Sequence, residues 1–162
     1  ELCSAVSREC SKYGYEPVML TDQLCCQAKE AGSFLASIAK THCKSGKKLA
    51  YIAGGETVVN ITGHGKGGRN QEIALSAAEG IKGMSNAAVF SIGSDGTDGP
   101  TDAAGGYSDG DTAGELKNKG IDIFEVLKNN DAYNALKLTE GLIITGPTGT
   151  NVNDVSVLLI SD

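Results

Sequence analysis

The chain has no tryptophan, three phenylalanines, three prolines and two arginines in 162 residues. With only Arg8 and Arg69, and no basic stripe interleaved with aromatics, sequence-independent nucleic-acid binding is excluded, because that binding neutralises phosphates with Lys and Arg. Long apolar runs are missing as well. The longest is Leu49–Ala53, against the roughly 18 residues a membrane helix needs, and no basic-then-apolar leader opens the chain. No membrane partner is therefore expected. The five cysteines (Cys3, Cys10, Cys25, Cys26, Cys43) form no Cys-x-x-Cys pair. An odd count without that spacing argues against a disulfide scaffold or a zinc site and for a reducing compartment, cytoplasm or mitochondrion. The chain starts at Glu1 rather than Met, as expected for a piece of something longer.

What is present is ordinary globular composition, 40% apolar and 21% charged, which argues against disorder. Net charge is −6, unevenly spread: seven bases face five acids in residues 1–50, and seven face fifteen in 51–162. Of 22 glycines, 16 lie between Gly54 and Gly120, so the middle of the chain reads as regular elements joined by tight loops. Helical spacing is seen over 2–13, from Thr21 or Asp22 to about Cys43, near 70–81, near 111–119 and over 122–138. Strand-like segments are 15–20, 49–53, 57–61, 87–92, 142–145 and 155–160, and Gly54-Gly55-Glu56 is short enough to join two of them as a hairpin. Alternating strands and helices predict an α/β fold: a mixed, largely parallel sheet with helices on both faces and one β-hairpin.

Three loops could carry chemistry. Gly63-His64-Gly65-Lys66-Gly67-Gly68-Arg69-Asn70 runs from a strand into a helix. Glycines let a backbone approach a ligand, a helix start offers unpaired N–H groups to an anion, and Arg69 adds a fork for phosphate or carboxylate. Gly63, Gly65 and Gly68 also satisfy the dinucleotide pattern G-x-G-x-x-G, but the acid expected about 20 residues on is not at a strand tip. The second loop, Ser94 to Gly106, crowds Asp95, Asp98 and Asp102 just before Asp109 and Asp111, with no Lys or Arg from 83 to 116. Crowded carboxylates call for a cation, and Mg²⁺ takes one or two of them with phosphate oxygens and water; a solvated Asp/Gly turn is the plain alternative. The third, Thr145 to Asp154, offers Thr148, Thr150, Asn151 and Asn153 as neutral hydrogen-bonding groups, or as residues capping their own turns. Glu56 sits in the hairpin bend. Glu72 reads as solvent-facing, though close enough to Arg69 to orient it.

In this order the segments Gly54-Gly55-Glu56-Thr57-Val58-Val59, Gly65 to Glu72, Ser94 to Gly105, Asn130-Asp131-Ala132-Tyr133 and Thr145 to Asp154 closely resemble the MOFRL domain, the C-terminal part of the type II glycerate kinases. The likeness spans about residues 49–160. Residues 1–48 resemble the end of the preceding, larger kinase domain, and 49–162 the MOFRL domain itself. The resemblance implies phosphoryl transfer from ATP to glycerate with Mg²⁺, in a cleft between this part and the larger N-terminal domain of the same chain.

On that basis Arg69 and Asp95 are the expected catalytic residues. Glu56, Asn70, Asp98, Asp102, Thr148, Asn151 and Asn153 would bind substrate, and Gly65, Gly67 and Gly68 would bind phosphate. Asp95 and Asp98 would ligate the metal. A homodimer is one option for assembly. The competing readings are a nicotinamide-dependent hydroxypyruvate reductase and a non-catalytic folding or association module.

Overall fold

The computed structural model describes residues 1–162. The elements follow in the order α1 (Leu2–Lys12), β1 (Glu16–Leu24), α2 (Ala28–His42), β2 (Leu49–Gly55), α3 (Arg69–Gly80), β3 (Ala87–Gly93), β4 (Gly105–Asp109), α4 (Thr112–Asn118), α5 (Ile123–Lys128), α6 (Ala132–Leu138), β5 (Leu142–Ile143) and β6 (Asp154–Ile160). They build a six-stranded sheet in the order β1-β2-β6-β3-β4-β5.

The mixed α/β class and helices on both faces are as expected, but the balance of strand directions is not. Only β1–β2 is parallel; the β2–β6, β6–β3, β3–β4 and β4–β5 ladders are all antiparallel. The cause is β6, which returns down the middle of the sheet and separates β2 from β3. The expected hairpin does not form either. Residues 57–61 make only an isolated bridge, Val58 with Gln27, because β2 already has β1 on one edge and β6 on the other. Residues 1–48 supply β1 and α2 to this same sheet, in register from Glu16 opposite Leu49, so the packing does not break at 48/49.

Alternation along the strands sorts the core. Leu49, Tyr51, Val89, Leu158 and Ile160 face α2 and α3, where they meet Leu35, Ala39, Ile73 and Ala77. Ile52, Val155 and Val157 face the other way and pack with Cys3, Leu2 and Val6 of α1. Behind α3, Ala74, Leu75 and Ala78 pack against Ala113, Leu116, Ala132 and Leu136 of the short helices. Helix α3 is thus enclosed on all sides, and every residue from Asn70 to Ala78 is buried. Small residues make this fit possible: a Cβ at Gly32 of α2 would lie 2.2 Å from the Ile73 carbonyl oxygen. No helix is long and apolar enough to cross a membrane.

Register sets the location of the loops. Asp154, the first residue of β6, sits opposite Gly55 of β2 on one side and Gly93 of β3 on the other. The segments 56–68, 94–104 and 144–153 therefore leave or enter the sheet at one end.

Candidate active site at the open end of the sheet

Arg69 opens α3 beneath this end. Its Nε donates to Asp154 Oδ2 at 2.5 Å and its Nη2 to Asp154 Oδ1 at 3.2 Å, a bidentate grip, while Nη1 lies 3.0 Å from Glu56 Oε1. Asp154 is nearly enclosed and Glu56 largely exposed. The hydrogen bond to Asp154 raises the Arg69 pKa further, so the guanidinium is a permanent cation held in one orientation. Asp95 lies beyond Gly93 and senses Arg69 electrostatically; Thr97 donates to its Oδ1 through both backbone N–H and hydroxyl, holding its carboxyl below the usual range. The third loop is fastened to the second. Thr148 N–H donates to the Asp95 carbonyl, the Thr148 and Thr150 hydroxyls to the Ser94 carbonyl, and Val152 N–H to Ser94 Oγ. The three loops do converge.

A cavity of about 600 Å³ lies beside Arg69, with Glu56, Thr57, Val58, Ile61, Gly67, Gly68, Glu72, Pro100 and Asn130 in its wall. Its size is in the range of small-molecule sites, roughly 300–1,000 Å³.

Several expected site residues have other duties. Asp98 is 3% exposed, and its two oxygens accept from the N–H groups and side-chain amides of Asn70 and Gln71. Burial pushes its pKa up while those donors pull it back. It caps the first turn of α3 from outside the helix and has no oxygen left for a metal or a substrate. Asn70 is buried with it, and its Oδ1 accepts from Ser91 Oγ. Asp102 points to α6, where it accepts from the Tyr133 hydroxyl at 2.7 Å. Thr148 turns inward to Ser94, whereas Asn151 and Asn153 are exposed at the same end.

The glycine loop also differs from an open anion nest. Gly65 N–H donates to the Asn129 carbonyl at 2.8 Å, and a Cβ there would lie 2.4 Å from Asp131 Cβ. That glycine serves close approach to the 129–131 segment, and its N–H, already paired, is not offered to a pyrophosphate as the dinucleotide pattern requires. All three glycines line the cavity, but the N–H groups of Gly67 and Gly68, unlike that of Gly65, have no partner in the chain.

Two features escape sequence reasoning. Asp154 closes the Thr145–Asp154 loop, yet only the antiparallel return of β6 puts it between β2 and β3. Glu72 is 4% exposed rather than solvent-facing. It accepts from Asn130 Nδ2 at 2.9 Å instead of orienting Arg69, and burial pushes its pKa up. The available signal was the Asn130-Asp131 pair, polar residues interrupting an otherwise helical pattern.

No three His, Cys, Asp or Glu side chains gather into a metal cage. Asp98 does not fit a metal. Asp95 does, as a single carboxylate whose Oδ2 accepts no hydrogen bond from the chain, and one carboxylate is a sufficient protein contribution for a phosphate-bound Mg²⁺.

The MOFRL family model matches residues 49–154. The chain is 51% identical to the D-glycerate 2-kinase of Thermotoga maritima over 164 residues, covering 99% of this chain and 39% of that protein. It is 45% identical to the glycerate 2-kinase of Pyrococcus horikoshii, covering 98% of this chain and 37% of that protein. The crystal structure of the Thermotoga maritima glycerate kinase superposes with a TM-score of 0.94 at 51% identity, over 98% of this chain and 39% of that one. The chain thus spans about two fifths of the length of these relatives.

Proposed function

The chain belongs to the MOFRL family, and we propose that it forms one wall of a glycerate 2-kinase active site, transferring phosphate from ATP to glycerate to give 2-phosphoglycerate. The observation that carries this reading is Arg69, clamped by Asp154 and Glu56 at the mouth of a cavity, with Asp95 across the same sheet end. Phosphoryl transfer asks for positioning and charge stabilisation more than covalent chemistry. A guanidinium prevented from rotating supplies both. It holds the glycerate carboxylate or steadies the charge on the phosphate in flight. The free N–H groups of Gly67 and Gly68 add two donors next to it.

Charge explains why this is one wall and not the whole site. Arg69 is balanced here by Asp154, Glu56 and Asp95, so the sheet end has no surplus of positive charge for a nucleotide and an organic acid. The remaining cations must come from elsewhere: a larger N-terminal domain of the same polypeptide, and Mg²⁺ arriving with ATP. When bound, Mg²⁺ neutralises nucleotide phosphates, and Asp95 is the residue of this chain that would hold it.

The test is Arg69→Ala in the full-length enzyme. Loss of an electrostatic donor of this kind costs about 10²–10³ in kcat, while the circular dichroism spectrum should stay that of the wild type; the urea midpoint should fall, because the nearly enclosed Asp154 loses its bidentate partner. Near-normal ATP-dependent turnover of glycerate would remove Arg69 from the mechanism. Saturable NADH binding with hydroxypyruvate turnover would replace the kinase by a reductase.

A further inference from the structure

The glycine loop is bound along its length by the segment joining α5 to α6. Thr62 and Gly63 N–H donate to Asn130 Oδ1 at 2.7 and 2.9 Å, His64 N–H to Asn129 Oδ1, Gly65 N–H to the Asn129 carbonyl and Lys66 N–H to Asp131 Oδ1. Asn130 also reaches the other way. Its Nδ2 donates to the Asn60 carbonyl at 3.0 Å and to Glu72 Oε1 at 2.9 Å. Both lone-pair directions of its oxygen and both N–H groups of its amide are thus used. Orientation is forced, because two backbone donors face the oxygen and two acceptors face the nitrogen. The residue pays for this place with a left-handed backbone, φ 55°, a conformation Asn tolerates better than most residues.

We propose that Asn130 is a positioning residue for the cavity beside Arg69: it fixes the distance between the glycine loop and Glu72 of α3, and through that the width of the ligand pocket. Asn130, Glu72, Ile61 and Gly63 all line this cavity, so the amide bridges two of its walls. Arg69 is held independently by Asp154 and Glu56. Loosening Asn130 therefore widens the pocket without releasing the guanidinium. The kinetic reading of this role rests on the kinase function proposed above; the structural reading does not.

Three variants of the full-length enzyme test it. Asn130→Gly keeps the left-handed backbone and removes the amide. Asn130→Asp keeps the acceptor for Thr62 and Gly63 but sets a carboxylate against Glu72. The double variant Glu72→Gln with Asn130→Asp restores a donor–acceptor pair with the roles reversed. N130G and N130D should each raise KM for ATP or glycerate about tenfold with kcat within about twofold, the pattern of lost ground-state binding. The double variant should return most of that loss. Backbone hydrogen exchange at Thr62 and Gly63 should quicken in N130G, which loses their acceptor, and stay near wild type in N130D and the double variant, which keep it. Unchanged KM values, a fall in kcat alone, or a double variant no better than N130D would overturn the proposal. If the wild-type enzyme proves inactive on glycerate, the function reading fails by itself, and the exchange rates still decide the role of Asn130. Rates at Thr62 and Gly63 that match wild type in N130G would sink it.

Discussion

Asp98 brings four N–H donors onto one enclosed carboxylate, all from the first turn of α3. A helix start leaves such donors unpaired, and α3 has no capping side chain of its own, since its N-cap is Gly68. Asp98→Asn would present an amide N–H₂ to donors that need an acceptor. It is expected to cost about 2 kcal/mol, within the range for hydrogen bonds to charged groups, read as a lowered urea midpoint. Glu72 gives a pH signature. Burial raises its pKa above the ordinary glutamate value, so the folded state holds the proton more tightly than the unfolded chain. The stability this contributes is complete below the unfolded pKa and is lost as pH rises through the raised folded value. Asp98 and Lys29 are the charges that bear on it. Relative to Glu72→Gln, the wild type should lose stability as pH rises from about 4.5 towards neutrality, followed by urea unfolding at several pH values; a constant difference would show that Glu72 titrates normally.

At the scale of elements, β4 was the strand hidden from periodicity. Gly105-Gly106-Tyr107-Ser108-Asp109 has neither apolar alternation nor β-branched residues, yet it pairs with β3 from Gly105 opposite Ile92 to Asp109 opposite Ala88. Its glycines are the reason it fits. A Cβ at Gly106 would lie 2.6 Å from Leu136 Cδ1, 3.1 Å from Ala74 Cβ and 3.2 Å from Gln71 Cα. Gly106→Ala is therefore an overpacking change, expected to destabilise by about 1–3 kcal/mol and to appear as a lowered melting temperature. The 122–138 pattern shows the reverse error. It reads as one helix but breaks at Asn129–Asp131 into α5 and α6, because those residues spend their hydrogen-bonding groups on the glycine loop.

For the whole molecule, the acidic balance around Arg69 bears on what the chain can do alone. With one guanidinium facing three carboxylates, the 162-residue chain by itself is expected to give no measurable phosphorylation of glycerate. A coupled assay on the isolated chain beside the full-length enzyme checks this, and turnover by the chain alone would show that this wall suffices. The surplus of acids after residue 50 was already visible without coordinates; which of them face Arg69 was not.

Composition, periodicity and glycine placement were enough to specify an α/β chain, most of its helices and strands, and the three loops bearing Arg69, Asp95 and Thr148. These are local properties, written in spacing and turn chemistry. What the tertiary structure alone decided was which polar groups remain free. Asp98, Asn70 and Gly65 carry the same chemistry as Asp95, Asn151 and Gly67, but the first three are consumed by neighbours 21 to 64 residues away in sequence. Whether a buried donor or acceptor serves the fold or a ligand depends on partners brought together by the central return of β6 and the enclosure of α3, and no window of sequence contains both halves of those pairs.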